Sequence, residues 1–366
     1  MMSLAHHPLA QRVGKVVGHG GKRVLGRVLN TMLSTPPNVP IDAVCDVRRV
    51  LIVRPNFRIG NTLIAAPLIL ALRQRFPGAQ VDYLGGDTTS ALLAHLPVDT
   101  VHRISRRFVT RPWRFVRLFA RLRRVHYDVA VEGGMGSFSG GLYTYLAGAR
   151  YRIGCKGKAD RFLNVRLPAV HTSHAYDTPL AFAGLLGVSC PDHPVYAVSA
   201  EEHTAALALL ARLELAAESV ARPFIGMFVG GHLDKRWPAA QWMELARSLA
   251  TLGGPVMVFL GPEEAPAEPK YRCALPPSVR VLPPQPLRLF AALWGSARLM
   301  VTADSGPMHL AAAFGVPTIA VLQSDASLIY APRASQDRVL MRPTAAEAVA
   351  AVVTHPAWPD IVPAVA

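Results

Sequence analysis

Short apolar runs separated by stretches of helical spacing recur along most of the chain. Residues 50–54 (VLIVR) have the length and branching of a buried strand. After a loop, residues 62–76 place apolar side chains at helical spacing and stop at Pro77-Gly78. Residues 81–85 and 127–131 predict two more strands. In the second half, residues 224–229, 255–260, 279–282, 299–302 and 318–322 read as strands, with helices predicted over 239–252, 287–294 and 308–314. Strands alternating with helices imply parallel α/β sheets. A polar stretch around residues 216–222 separates the two series. The expected organisation is an N-terminal extension over 1–47, an α/β domain over 48–215, a second over 223–354, and a tail over 355–366.

Composition sharpens this in three ways. The AVILMFWYC residues make up 51% of the chain and charged residues 17%, so disorder is excluded as its main state. The net charge of +15, from 39 Lys and Arg against 24 Asp and Glu, implies an anionic partner. The four cysteines, Cys45, Cys155, Cys190 and Cys273, have no paired spacing, which argues against a disulfide scaffold or a zinc site of CxxC type. The charge-free residues 305–324 contain Pro307, Pro317 and His309, and so predict helix, turn and strand rather than a membrane span. No signal-peptide pattern opens the chain, and a cytoplasmic protein is expected.

Much of the positive charge is local. Residues 103–124 hold nine arginines and no acid, with Arg114, Arg117, Arg121 and Arg124 at helical spacing beside an apolar stripe of Phe115, Leu118, Phe119 and Leu122. Such a face is either simply solvated or meets an anionic surface, since the guanidinium fork suits phosphate. Nucleic acid is a weaker reading, for no nucleic-acid motif accompanies the charge. Near the start, Val24, Leu25, Val28, Leu29 and Met32 interleave with Lys22, Arg23 and Arg27. That pattern fits a docked helix or a basic amphipathic helix on anionic lipid.

The strongest chemical signal follows the strand at 299–302. Asp304-Ser305-Gly306-Pro307 leads at once into a helix closed by Gly315. Pro307 suits the first helical turn and Ser305 or Gly306 can cap it, so the helix N-terminus becomes an anion cradle with His309 in its first turn. A capped βα turn with a buried histidine is the plain alternative. The residues themselves, Asp304-Ser305-Gly306-Pro307-Met308-His309-Leu310-Ala311-Ala312-Ala313 and then Gly315-Val316-Pro317, closely resemble the donor-site signature of the heptosyltransferases, the family 9 glycosyltransferases. Lys235-Arg236-Trp237-Pro238, Gly261-Pro262-Glu263-Glu264 and the segment from Arg54 to Pro67 resemble further motifs of that family in the same order. The likeness spans about residues 49–353.

The resemblance implies a GT-B type fold: two Rossmann-like doubly wound domains facing across a cleft, with the acceptor in the first and the nucleotide-sugar donor in the second. It implies inverting transfer without metal or cofactor, usually of heptose from an ADP-linked donor to the inner core of lipopolysaccharide. Such an enzyme would be cytoplasmic, with peripheral contact on the inner face of the inner membrane. The arginine face would then meet an anionic glycolipid, the lipopolysaccharide core, or lipid. Departure of a diphosphate builds negative charge, which Lys235, the Ser305-Gly306 amides and His309 are expected to stabilise. Trp237 and Trp242 are expected to pack. Glu264, with Glu263 close behind, is expected on ribose hydroxyls, and Asp304 on the donor sugar or in orienting the turn.

One position departs from the family. Many relatives end the first loop with Gly-Asp, and that Asp is the presumed base; here the pair is Gly60-Asn61. A carboxamide cannot take the proton, although Asn61 could cap a helix starting at Thr62. Glu132, at the end of a strand and the start of a glycine-rich loop (GGMGSFSGG), is the replacement candidate, ahead of Asp87. The alternatives to efficient heptose transfer are a family transferase using another nucleotide sugar, or a degenerate member that binds without efficient turnover.

Overall fold

The computed structural model describes residues 34–105, 111–217, 220–221, 223–231 and 235–362. The amphipathic pattern at residues 22–33 lies outside them. Strands β1 (Arg49–Val53), β2 (Gln80–Gly86), β3 (Thr100–Ile104), β4 (Val129–Glu132), β5 (Tyr151–Cys155) and β6 (Val165–Leu167) form one sheet in the order β3-β2-β1-β4-β5-β6. A short hairpin, β7 (Ala216–Ala217) and β8 (Val220–Ala221), falls in the stretch expected to separate the two series. Strands β9 (Ile225–Phe228), β10 (Val256–Phe259), β11 (Arg280–Leu282), β12 (Leu299–Ala303), β13 (Thr318–Leu322) and β14 (Arg338–Met341) form a second sheet in the order β11-β10-β9-β12-β13-β14. Both sheets are parallel, with Val50 opposite Val129 in the first and Leu299 opposite Ile225 in the second. The order is the doubly wound Rossmann arrangement in each case, so the expected pair of Rossmann-like halves is present.

The helices, in chain order, are α1 (Ile59–Ala65), α2 (Pro67–Arg75), α3 (Pro112–Val125), α4 (Phe138–Leu146), α5 (Asp177–Leu185), α6 (Ala200–Arg212), α7 (Ala239–Thr251), α8 (Glu268–Ala274), α9 (Leu287–Gly295), α10 (Gly306–Phe314), α11 (Ala345–Val353) and α12 (Trp358–Ile361). The single helix expected over 62–76 is two helices. Pro67 has no N–H for an interior hydrogen bond, so α1 ends before it and α2 begins on it. Strands β3, β5, β6 and β14 were not expected from the apolar pattern; β3 is half exposed and β6 has three residues. Among the described residues, no helix is long and apolar enough to cross a membrane.

Strand β10 shows why the buried strands read as unbroken apolar runs. Val256 and Val258 pack on one face with Trp242, Leu245 and Leu249, while Met257 and Phe259 pack on the other with Phe290, Trp294 and Leu310. Helices cover both faces, so both parities must be apolar. By spatial contact the described residues divide into two compact units, one made of those up to Val53 with Trp113–Ala169, the other of those from Arg54 to Pro112 and from Val170 onward.

Candidate functional site

In a doubly wound sheet the ligand crevice lies beyond the carboxyl ends of the strands where their order reverses, here between β9 and β12. Asp304 and Ser305 leave β12 there and α10 starts at Gly306. Ser305 stands at the cap position with extended backbone, but its side chain does not cap the helix. Its hydroxyl turns back to the Ala303 carbonyl at 3.2 Å and the Thr302 hydroxyl at 3.3 Å. The first turn therefore carries the positive end of the helix dipole without a side-chain acceptor of its own. That turn is fixed from below, because buried Trp294 donates its indole N–H to the Pro307 carbonyl at 2.9 Å. Gly315 ends α10 in the left-handed region (φ 66°), as its position suggested.

Two sequence candidates meet above this turn. The ammonium of Lys235 pairs with the carboxylate of Asp304, which is almost wholly buried, and lies 5.6 Å from the centre of the Tyr330 ring. His309 is buried in the first turn of α10, and its Nδ1 is 2.8 Å from the Tyr176 hydroxyl. Burial pushes the imidazole down to about 4, against the opposing pull of Asp304, so it is neutral near pH 7. Tyr176 is held in turn: its backbone N–H donates to His174 Nδ1 at 3.1 Å, and His174 Nε2 is 2.9 Å from the Ala331 carbonyl. Arg333 stacks over its ring and pairs with Asp177 at 2.6 Å.

The loop after β1 closes on the same turn. A Cβ at Gly60 would lie 2.4 Å from His309 Cδ2, and one at Gly306 would lie 2.7 Å from Ile59 Cβ. These two glycines let the N-terminal ends of α1 and α10 touch, and a side chain at either would force them apart. Asn61 is the third residue of α1, not its cap; Arg58 holds the cap position, and Asn56 Oδ1 accepts the Arg58 N–H at 2.9 Å. The helix begins three residues earlier than expected because that Asn56 turn starts it. Thr89 fixes the loop by donating to the Asn56 carbonyl at 2.7 Å.

The two glutamates after β10 are separated by their surroundings. Glu263 is exposed and pairs with Arg236 at 2.7 Å. Glu264 turns inward, so close to Gly230 and Gly261 that a Cβ on either would meet its Oε2 within 3 Å. Burial raises its pKa, with Arg236 at 3.4 Å opposing. Trp237 and Trp242 pack as expected: both are buried, edge to face at 4.8 Å, and the Trp237 indole donates to the Pro343 carbonyl at 2.9 Å.

Glu132 does not fit a general base. It is the last residue of β4, is wholly buried, and accepts from the backbone N–H groups of Gly134 and Gly136 at 2.7 Å each and from the Ser137 hydroxyl at 3.0 Å. The loop turns back on it through Met135 (φ 55°) and Gly136 (φ 84°), making a nest of amides that the carboxylate itself fills. A Cβ at Gly140 would meet Glu132 Oε1 at 2.2 Å. So enclosed, the side chain anchors the glycine loop and the start of α4 and has no room for a substrate hydroxyl. Arg114, Arg117, Arg121 and Arg124 are all exposed on α3, whose Leu118, Phe119 and Leu122 are buried.

Nothing in the sequence marks Tyr176, Tyr330, or the His174 and Arg333 side chains that hold Tyr176. Tyr176 lies 133 residues from His309 in a segment without periodicity, so only the fold brings the pair together. Arg236 stood inside a recognised motif, and its spacing to the following glutamates across a βαβ crossover was the available hint.

The model of the family described as Glycosyltransferase family 9 (heptosyltransferase) matches residues 115–351. Lipooligosaccharide heptosyltransferase 2 of Haemophilus ducreyi is 25% identical over 328 residues, 80% of this chain and 88% of its own length. Lipopolysaccharide heptosyltransferase 1 of Pseudomonas aeruginosa is 27% identical over 289 residues, 75% of this chain and 78% of its own. Among solved structures, the ADP-heptose lipopolysaccharide heptosyltransferase II of E. coli has the same fold, with a TM-score of 0.65 at 24% identity over 80% of this chain and 90% of that one. A family 9 glycosyl transferase from Veillonella parvula reaches a TM-score of 0.70 at 19% identity, covering 81% and 86%.

Proposed function

The chain belongs to glycosyltransferase family 9, and from that premise we propose that it transfers heptose from ADP-heptose, with inversion, to the inner core of lipopolysaccharide or a related glycolipid at the inner face of the membrane. The observation that carries this reading is the Lys235–Asp304 pair beside the uncapped N-terminus of α10. Breaking the anomeric bond leaves charge on the diphosphate, and a cation and free amides aimed at it lower that barrier. Lys235 exchanges Asp304 for the phosphates, and Asp304 turns to the sugar hydroxyls. With the Tyr176 hydroxyl donating to Nδ1, neutral His309 keeps its proton on Nε2 as a further donor. Glu264 takes the ribose hydroxyls, and Glu263 stays with Arg236. The names of the relatives support heptose and a lipopolysaccharide acceptor, and an E. coli heptosyltransferase solved with ADP supports the adenine nucleotide.

A second reading is favoured by Asn61: a family member that binds nucleotide sugar or glycolipid with little turnover. Calorimetry with ADP, UDP, GDP and CDP at one moderate salt concentration tests the donor site. Preference for ADP supports the proposal; equal, salt-sensitive binding of all four overturns it. Transfer to heptose-deficient lipopolysaccharide then separates the two readings. A low rate raised at least tenfold by Asn61→Asp favours the weak transferase, whereas a high rate in the natural chain removes it.

A further inference from the structure

Helix α3 presents two faces of different character. Phe115, Leu118, Phe119 and Leu122 form the inner stripe, and Phe115 and Phe119 meet Tyr143 at 5.6 and 5.5 Å between ring centres. At 100° per residue, Trp113, Val116 and Ala120 fall on the opposite side, with Arg117, Arg121 and Arg124 along one edge of them. Among the described residues Val116 and Trp113 are the most exposed large hydrophobic side chains, at 64% and 53%, and they stand one turn apart on this one helix. Arg114, Arg117, Arg121 and Arg124 make no hydrogen bond or ion pair with any described residue, whereas Arg123, at the side of the helix, donates to the Leu146 carbonyl at 3.0 Å.

Solvation alone accounts for the arginines but not for an apolar ridge beside them. Nucleic acid would use the arginines and gain nothing from an exposed valine. A bilayer uses both: the ridge enters the interfacial layer, where tryptophan is favoured, while the guanidinium groups meet lipid phosphates. We infer that α3 is a membrane-docking helix that lays Trp113 and Val116 into an anionic lipid surface with Arg117, Arg121 and Arg124 on the headgroups. This deepens the glycolipid reading above by naming the surface that brings the enzyme to its acceptor, and acceptor-free vesicles keep the two ideas separable.

The test is sedimentation of the full chain with vesicles of phosphatidylcholine alone or mixed with phosphatidylglycerol, neither containing lipopolysaccharide. Each basic side chain at such a surface strengthens binding roughly fivefold. Binding is therefore expected only with phosphatidylglycerol, and a triple variant R117Q/R121Q/R124Q is expected to lose it about a hundredfold. Because these residues are exposed, the substitutions leave the fold intact, which circular dichroism checks. A second measurement is quenching of tryptophan fluorescence by brominated lipid, expected in the natural chain and lost in Trp113→Phe. Equal binding to both vesicle types, an undiminished triple variant, or quenching that survives Trp113→Phe overturns the inference. So does tighter binding to duplex DNA than to phosphatidylglycerol vesicles at the same salt.

Discussion

Glu132 and Asp304 stand at matching places in two sheets of identical strand order. Each lies at the carboxyl end of the fourth strand in sequence of its sheet, just before a glycine-bearing turn and a helix. Their fates differ. Glu132 is covered by its own loop, which spends its amides and a serine hydroxyl on the carboxylate. Asp304 is met by a lysine from another loop, and the helix that follows keeps its first turn free of a side-chain cap. Topology delivers an acid to the sheet edge; the donors nearest in sequence decide whether that acid holds the structure or remains for chemistry.

Substitutions that exchange the two fates are the sharpest probes. Lys235→Ala is expected to lower kcat about a thousandfold, the scale of a lost electrostatic contact in the transition state, with a lesser loss of melting temperature because buried Asp304 is left unpaired. Steady-state kinetics beside a thermal melt checks it, and a large loss of stability with kinetics intact would make the pair structural like Glu132. Acid is the next largest lever. His309 titrates near 4 when folded and at the ordinary 6.5 when unfolded, so the unfolded chain binds the extra proton between these values. The corresponding stability is present above pH 6.5 and falls as pH drops toward 4, by about 3 kcal/mol at the lower end. Denaturant melts across that range should slope accordingly, and His309→Asn should flatten the slope.

Glu132→Gln comes third. One amide N–H loses its acceptor partner to a competing donor, and about 2 kcal/mol of stability should go, with kcat of the folded fraction unaltered. A collapse of kcat without destabilisation would return Glu132 to the catalytic list. Tyr176→Phe is the smallest, about 1 kcal/mol in kcat/KM, from loss of the bond that orients His309. Its pH profile should also shift, since the imidazole loses a fixed partner.

The second sheet was the more legible of the two. Its four inner strands, β9, β10, β12 and β13, are nearly continuous apolar runs because helices cover both faces, and the Asp304–His309 turn keeps its chemistry within six consecutive residues. The first sheet hides more. Strand β3 is half exposed and carries His102 and Arg103, so its alternation is faint, and β6 is too short to stand out. The glycine loop at 133–141 advertises an anion cradle without revealing that its anion is Glu132. Pro67 did announce the break between α1 and α2, but the apolar spacing runs through it unchanged. Tyr176 was illegible for a plainer reason: its partner lies in a different part of the chain, and nothing local marks it.

Trp294 gives the turn at the start of α10 a property that a surface site lacks. Its indole holds the Pro307 carbonyl while its rings stack on Phe290 and meet Phe259 and Phe228 edge to face. The turn that would grip a nucleotide is thus tied to a buried aromatic cluster of the core. Warming should leave affinity for the nucleotide nearly constant until the aromatic cluster itself loosens, and then abolish it within the same few degrees as the fold.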